Sequence, residues 1–129
     1  MVEVSPIVIY PELSYRIIGI AFQVFNDNGY EMTEKYYQRA FARALEAEGI
    51  PFTKEKMVNV AYRNQPIARY FLDLVIDNKI VVELKVRPRL GYVHVKQVLN
   101  YLKHSGYRLA IIIYFTRNGV KYRRIINAA

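Results

Sequence analysis

Apolar side chains recur with helical spacing in the first part of the chain and mostly with strand spacing after residue 52. From residue 12 to 26, Leu13, Ile17, Ile20, Ala21, Val24 and Phe25 fall on one helical stripe, and Asn28-Gly29 supplies a stop. A second helix is expected from about Thr33, a suitable N-cap, to Glu48. Tyr37, Ala40, Phe41, Ala44 and Leu45 form its inner stripe, and Gly49 with Pro51 ends it. The period then changes. Residues 52–62 alternate loosely, Asn64-Gln65-Pro66 marks a turn, and 67–76 and 80–86 are strongly β-like. Pro88 and Gly91 break the chain before a helix over 93–104, with Val95, Val98, Leu99 and Leu102 on one side. Residues 107–116 are a nearly continuous apolar run, as expected of a strand covered on both faces. Asn118-Gly119 then turns into a last strand near 120–126. Residues 1–11 read as an extended arm. The order ααβββαββ predicts one α/β (α+β) domain over 1–129, with a central mixed sheet flanked by helices.

The hairpin formed by 72–76 and 80–85 constrains itself. Leu72, Leu74 and Ile76 make one apolar row, and Ile80, Val82, Leu84 and Val86 make another. Burying both rows together requires Leu72 to face Leu84, Leu74 to face Val82 and Ile76 to face Ile80, which leaves Asp77-Asn78-Lys79 as a three-residue loop. In that register Asp73 lies opposite Glu83, and Lys85 points to the same side; a two-residue loop would separate the acids. Two carboxylates held ~5 Å apart repel unless a cation sits between them. A divalent metal relieves the repulsion and suits phosphodiester hydrolysis by polarising a phosphate oxygen and generating a nucleophilic water. A lysine beside it can orient that water or offset charge in the transition state. The plain alternative is a solvated Asp–Lys–Glu patch on an exposed sheet face.

Composition narrows the metal. There is no cysteine, so disulfides, thiolate zinc sites and cysteine nucleophiles are excluded. With only His94 and His104 as imidazoles, carboxylate and carbonyl oxygens must do most of the ligation, which favours Mg²⁺ or Mn²⁺. The net charge of +8 is uneven: residues 1–51 carry four Lys/Arg and seven Asp/Glu, and residues 52–129 carry fifteen and four. That asymmetry suits a polyanionic partner, although a solubilising surface would look the same. The acidic start, with Glu3 and Glu12, is unlike a secretory signal, and the apolar stretch 17–24 is too short to span a bilayer. A soluble cytoplasmic protein with no membrane partner is the expectation.

Asp73, ten positions, then Glu83-Leu84-Lys85 resembles the bipartite motif of the PD-(D/E)XK nuclease superfamily, although Leu72 stands where a proline is usual. The stretch from His94 to Leu102 is similar to the H-x-x-Q-x-x-N-Y-L segment of the GxxExxY group. Gln97 and Tyr101 also fit a Q-x-x-x-Y element of some superfamily nucleases. Glu34, Tyr37, Ala40 and Phe41 resemble that group's E-x-x-Y-x-x-A-L pattern, and the helix around Ile17-Ile18-Gly19-Ile20-Ala21-Phe22 followed by Asn26 is also similar. Glu31 replaces a glycine usual three positions before Glu34, while Gly29 fits one two positions earlier.

The resemblance implies a restriction-endonuclease-like core and a Mg²⁺- or Mn²⁺-dependent endonuclease acting on nucleic acid, DNA ahead of RNA. Asp73, Glu83 and the Leu84 carbonyl would hold the metal, and Lys85 would serve the attacking water. Glu34 would be a further acid at the site, and Gln97 would orient Lys85 or a phosphate. Arg69, Arg87, Arg89, Lys96, His94 and Tyr101 are candidates for substrate contact. Arg123 and Arg124 read as solvated charge, His104 as a surface residue and Asp77 as structural. A homodimer is plausible because cutting two strands commonly needs two sites. The competing readings are a non-catalytic nucleic-acid-binding module that kept the fold, and a protein-interaction accessory.

Overall fold

A computed structural model describes residues 9–89 and 91–127. Residues 1–8 of the expected arm lie outside them, and its last residue, Pro11, is already helical. The elements are α1 (Pro11–Asn28), α2 (Glu34–Ala47), β1 (Phe52–Tyr62), β2 (Gln65–Ile76), β3 (Ile80–Val86), α3 (Tyr92–Ser105), β4 (Leu109–Thr116) and β5 (Gly119–Ile126). The strands form one five-stranded sheet in the order β1-β2-β3-β4-β5. β3 and β4 run parallel and are joined through α3; every other neighbouring pair is antiparallel. No helix among the described residues is long and apolar enough to cross a membrane.

Each face of the sheet has its own core. On one, Ile17, Ile20 and Val24 of α1 and Tyr37, Phe41 and Leu45 of α2 pack on Leu74, Ile76, Ile80, Val82, Leu84, Ile111, Ile113 and Phe115. The Tyr37 ring stacks on Phe115 with centroids 4.0 Å apart, and its hydroxyl donates to the Gly29 carbonyl at 2.6 Å. On the other, Val98 and Leu102 of α3 cover Leu72, Val75, Val81, Ala110 and Ile112. β3 and β4 contribute to both, which is why their sequences read as continuous apolar runs. The Thr33 hydroxyl caps α2 by accepting from the Tyr36 amide at 3.0 Å, as its sequence position predicts.

The hairpin register is observed in three rungs: Leu74 pairs with Val82, Val75 with Val81 and Ile76 with Ile80. The loop is 77–79, with Asp77 and Asn78 both left-handed. The predicted Leu72–Leu84 pair is not formed, and Asp73 and Glu83 lie just past the end of the ladder and do not form a rung in it. Leu72 does not join Leu74 and Leu84 but packs with Val58 and Val75 under α3. The cause is a paired irregularity: Glu55 of β1 takes φ 51, and the regular β1–β2 register skips the Glu55/Asp73 position. Beyond it both strands exchange faces, so Val58 and Leu72 lie under α3 while Phe52 and Leu74 lie under α1 and α2. The expected turn at Asn64-Gln65-Pro66 is also displaced. Tyr62 pairs with Gln65, so Arg63 and Asn64 form a two-residue turn with φ of 51 and 64.

Candidate active site

Past the Leu74–Val82 rung the ladder between β2 and β3 stops, and two carboxylates take over its hydrogen bonds. Asp73 Oδ2 accepts from the Leu84 amide at 3.0 Å, and Glu83 Oε1 accepts from the Asp73 amide at 3.2 Å. Each acid thus reaches the opposite strand and holds a fork open. A backbone amide without a partner would be costly in this half-buried position, so the bonds stabilise the fork as well as orienting the acids.

The electrostatics at the fork are unfavourable without a cation. Glu83 is 4% exposed. Burial raises its pKa well above the ordinary carboxylate range, the Asp73 charge and the side-chain hydrogen bond to Asp73 raise it further, and the Asp73 amide and then Lys85 oppose them. Tyr101 of α3 faces the same charges. Its phenol is pushed up to about 12 by burial, then by Glu83, Tyr70 and Asp73, so it stays a neutral donor. The Tyr70 and Tyr101 rings lie 4.2 Å apart and fix α3 against β2.

The neighbouring elements complete the walls. Glu34, in the first turn of α2, accepts from the Val86 amide at 3.2 Å and ties that helix to the end of β3. His94 in the first turn of α3 has its pKa lowered by burial, then by Arg87 and Lys85, with Glu34 acting the other way. Glu34, Lys85 and Arg87 thus all act electrostatically on His94, and Glu34 is tied to the end of β3 that carries Lys85. Lys85 itself is half-buried.

Other expected residues lie further out. Gln97 is exposed and, with Tyr92, Lys96 and Asn100, lines a separate cleft of about 500 Å³ along α3. The predicted polar stripe of His94, Gln97 and Tyr101 is therefore divided, because Tyr101 packs against the α3-side core. Arg69 and Arg89 are exposed. Arg124 is not solvated charge: its guanidinium donates to the Ile9 carbonyl at 2.8 Å and lies 3.5 Å from the Ser14 hydroxyl, tying β5 to the start of α1. Asp77 is structural as expected, donating its amide to the Pro51 carbonyl and pairing with Lys79.

Sequence reasoning missed a basic cluster at the fork. A cavity of about 220 Å³ beside Asp73 is lined by Lys35, Gln38 and Arg39 of α2 and by Lys54 and Glu55 of β1. The spacing of Lys35 and Arg39 puts both on one helical face, which was readable; their meeting with Lys54 depends on tertiary packing.

Among the described residues no group of three or more His, Asp or Glu side chains could hold a metal ion. A cation here would rest on the Asp73–Glu83 pair, completed by backbone and water oxygens. Such an oxygen donor set fits a hard divalent cation that keeps several of its waters. It does not fit zinc in a closed protein cage.

The sequence model of the PD-(D/E)XK nuclease superfamily matches residues 11–125. No curated protein matches the chain significantly. Among solved structures, SSO0001 superposes with a TM-score of 0.59 at 17% identity over 74% of this chain and 51% of its own, so this chain spans about half of that protein's length. The alkaline exonuclease LHK-Exo from Laribacter hongkongensis superposes with a TM-score of 0.53 at 10% identity, covering 95% of this chain and 72% of the exonuclease. The LHK-Exo complex with dAMP gives 0.51 at 13% identity, covering 87% and 69%. At these identities the likeness is one of fold: a mixed five-stranded sheet with flanking helices.

Proposed function

The chain belongs to the PD-(D/E)XK nuclease superfamily, and we propose that over 1–129 it is a divalent-metal-dependent nuclease whose reaction centre is the β2–β3 fork. The observation that carries this reading is the reciprocal engagement of Asp73 and Glu83 across the fork, with Lys85 beside them. Asp73, Glu83 and the Leu84 carbonyl would hold Mg²⁺ or Mn²⁺. The metal, when bound, supplies Lewis-acid polarisation of the phosphate and lowers the pKa of a water.

The chain's own groups do the rest. Asp73 and Glu83 are held in place by the amides they accept from, so little reorganisation accompanies reaction. The Lys85 ammonium donates to the attacking oxygen and offsets charge on the phosphate. Glu34 spends one oxygen on the Val86 amide and offers the other to the reaction centre. His94 is held toward its neutral form and can accept a hydrogen bond, while protonated Tyr101 can donate one. Arg87, Arg89 and Arg69 contact flanking phosphates, and Lys96 and Gln97 hold a more distant phosphate in the separate cleft along α3. Within the superfamily, the Glu34 and His94–Leu102 patterns favour the GxxExxY group.

DNA is the preferred substrate in this reading, supported by a structural neighbour solved with a deoxynucleotide. A cytoplasmic protein acting as an endonuclease, with a homodimer possible, completes the proposal. The test is purified chain incubated with single- and double-stranded DNA and RNA in Mg²⁺, Mn²⁺ or EDTA. Metal-dependent cleavage should fall by roughly 10²–10⁴-fold in Asp73→Ala and Lys85→Ala. Cleavage that survives both substitutions places the chemistry elsewhere.

A further inference from the structure

Beyond the fork, residues 56–62 of β1 and 65–72 of β2 continue as a two-stranded ribbon without a β3 partner, since the β2–β3 ladder covers only Leu74 to Ile76. One face is held by α3 through Val58, Leu72 and the Tyr70–Tyr101 contact. Among the described residues no helix covers the opposite face. Met57 and Phe71 pair directly across the strands there, 46% and 58% exposed, and Asn59 pairs with Arg69 one step further out. At the tip, the Arg63 guanidinium lies 5.3 Å from the centre of the Tyr62 ring, which is itself exposed.

The face exchange at Glu55/Asp73 aims this row at the chemistry. Phe71 sits two residues before Asp73 on the same strand, roughly 7 Å along it. On the other side of Asp73, Lys35, Arg39 and Lys54 line the small cavity at the fork. Cationic groups therefore stand at both ends of an exposed aromatic and thioether pair. Stacking of bases on such side chains is sequence-tolerant, because every base has a π-face. Ile67 and Tyr62 are also exposed further along the ribbon, but Arg69 and Asn59 separate them from the Met57–Phe71 pair, and an apolar surface broken by a charge in this way is poorly suited to stable self-association.

We propose that the helix-free face of the β1–β2 ribbon is a stacking platform for the unpaired bases of a single polynucleotide strand, whose phosphates run from Arg69 toward Lys35, Arg39 and Lys54. The inference rests on the nuclease reading for the course of the strand and assigns single-stranded or frayed nucleic acid as the substrate class. A base on Phe71 belongs to a nucleotide next to the one at the fork.

The chain has no tryptophan, so Phe71→Trp places a lone reporter on the platform. Its fluorescence is followed in EDTA against a single-stranded oligonucleotide about twelve nucleotides long, an abasic strand of the same length, and a blunt duplex. The base-bearing single strand should quench the indole, whereas the abasic strand and the duplex should leave it nearly unchanged. By anisotropy, Phe71→Ala should weaken single-strand binding by roughly fivefold or more and leave abasic-strand binding within about twofold, with Phe71→Trp retaining affinity. Equal quenching by the abasic strand, unchanged single-strand affinity in Phe71→Ala, or a concentration-dependent indole shift without nucleic acid (a second copy covering the face) would each overturn the platform. Because binding is read without metal, a stacking signal without any cleavage defeats only the nuclease reading. Cleavage without a stacking signal defeats only the platform.

Discussion

Replacing Glu83 with Gln removes one negative charge from the fork while keeping the shape and the carbonyl oxygen that accepts from the Asp73 amide. Charges ~5 Å apart across a strand pair at an effective dielectric constant near 20 repel by about 3 kcal/mol. Proton uptake by Glu83 already relieves part of this, so the variant should gain about 1–2 kcal/mol in the absence of metal, a rise in Tm of about 3–10 °C at this chain length. The pH dependence fixes the cause. Glu83 has a raised pKa in the folded chain, so the native state holds that proton more tightly than the unfolded one. The stability it contributes is complete below the ordinary carboxylate value and is lost as pH rises through the folded pKa. The advantage of the Gln variant should therefore be absent at low pH and widen upward. Saturating Mg²⁺ reverses the order: at about one hundred times its Kd, a cation stabilises the wild type by about 2.7 kcal/mol, and the variant should gain much less. Melting curves in EDTA and in Mg²⁺ across a pH series measure all of this. A Gln variant less stable than wild type in EDTA at neutral pH, or a gap that widens as pH falls, would refute the reasoning.

Other outcomes follow from particular contacts. Asp73→Asn keeps an acceptor for the Leu84 amide and sheds the same charge as Glu83→Gln, so in metal-free denaturant titrations it should be more stable than Asp73→Ala by about 1–3 kcal/mol, the cost of leaving that amide without its acceptor in a half-buried fork. Tyr37→Phe should lose about 1 kcal/mol with the Gly29 hydrogen bond, and Tyr37→Ala about 3–5 kcal/mol with the Phe115 stack. The His94 imidazole should titrate by NMR below 6.5, the value for a free histidine. In Glu34→Gln its midpoint should fall further, since Glu34 opposes the lowering; an unchanged midpoint would separate the two groups. Lowered titration also means that protonating His94 costs stability as pH falls through the histidine range.

Much of the fold was legible because both cores leave a strong imprint on the sequence. The alternation in 74–76 and 80–82 fixes the hairpin register, and the unbroken run through β4 announces a strand buried on both faces. That register also brought Asp73 and Glu83 together, although in the fold they meet just beyond its last rung, through side-chain bonds to opposite-strand amides. What the pattern concealed is where the pairing ends. Alternation assumes a regular ladder, but at Asp73 a side chain replaces the strand bond, and a left-handed Glu55 reverses the faces beyond it. Neither event changes which residues are apolar, so Leu72 read as facing Leu84. Arg124 was misread for a related reason: a charged residue near the end of a strand looks solvated until α1 brings the Ile9 carbonyl to it.

A divalent cation held between Asp73 and Glu83 at the fork would be visible by anomalous diffraction from crystals of the chain soaked in Mn²⁺. The expected result is a peak bounded by the carboxylates of Asp73 and Glu83 and the Leu84 carbonyl, absent from crystals of Glu83→Gln. A peak elsewhere on the chain, or an unoccupied fork in Mn²⁺-saturated crystals, would contradict it.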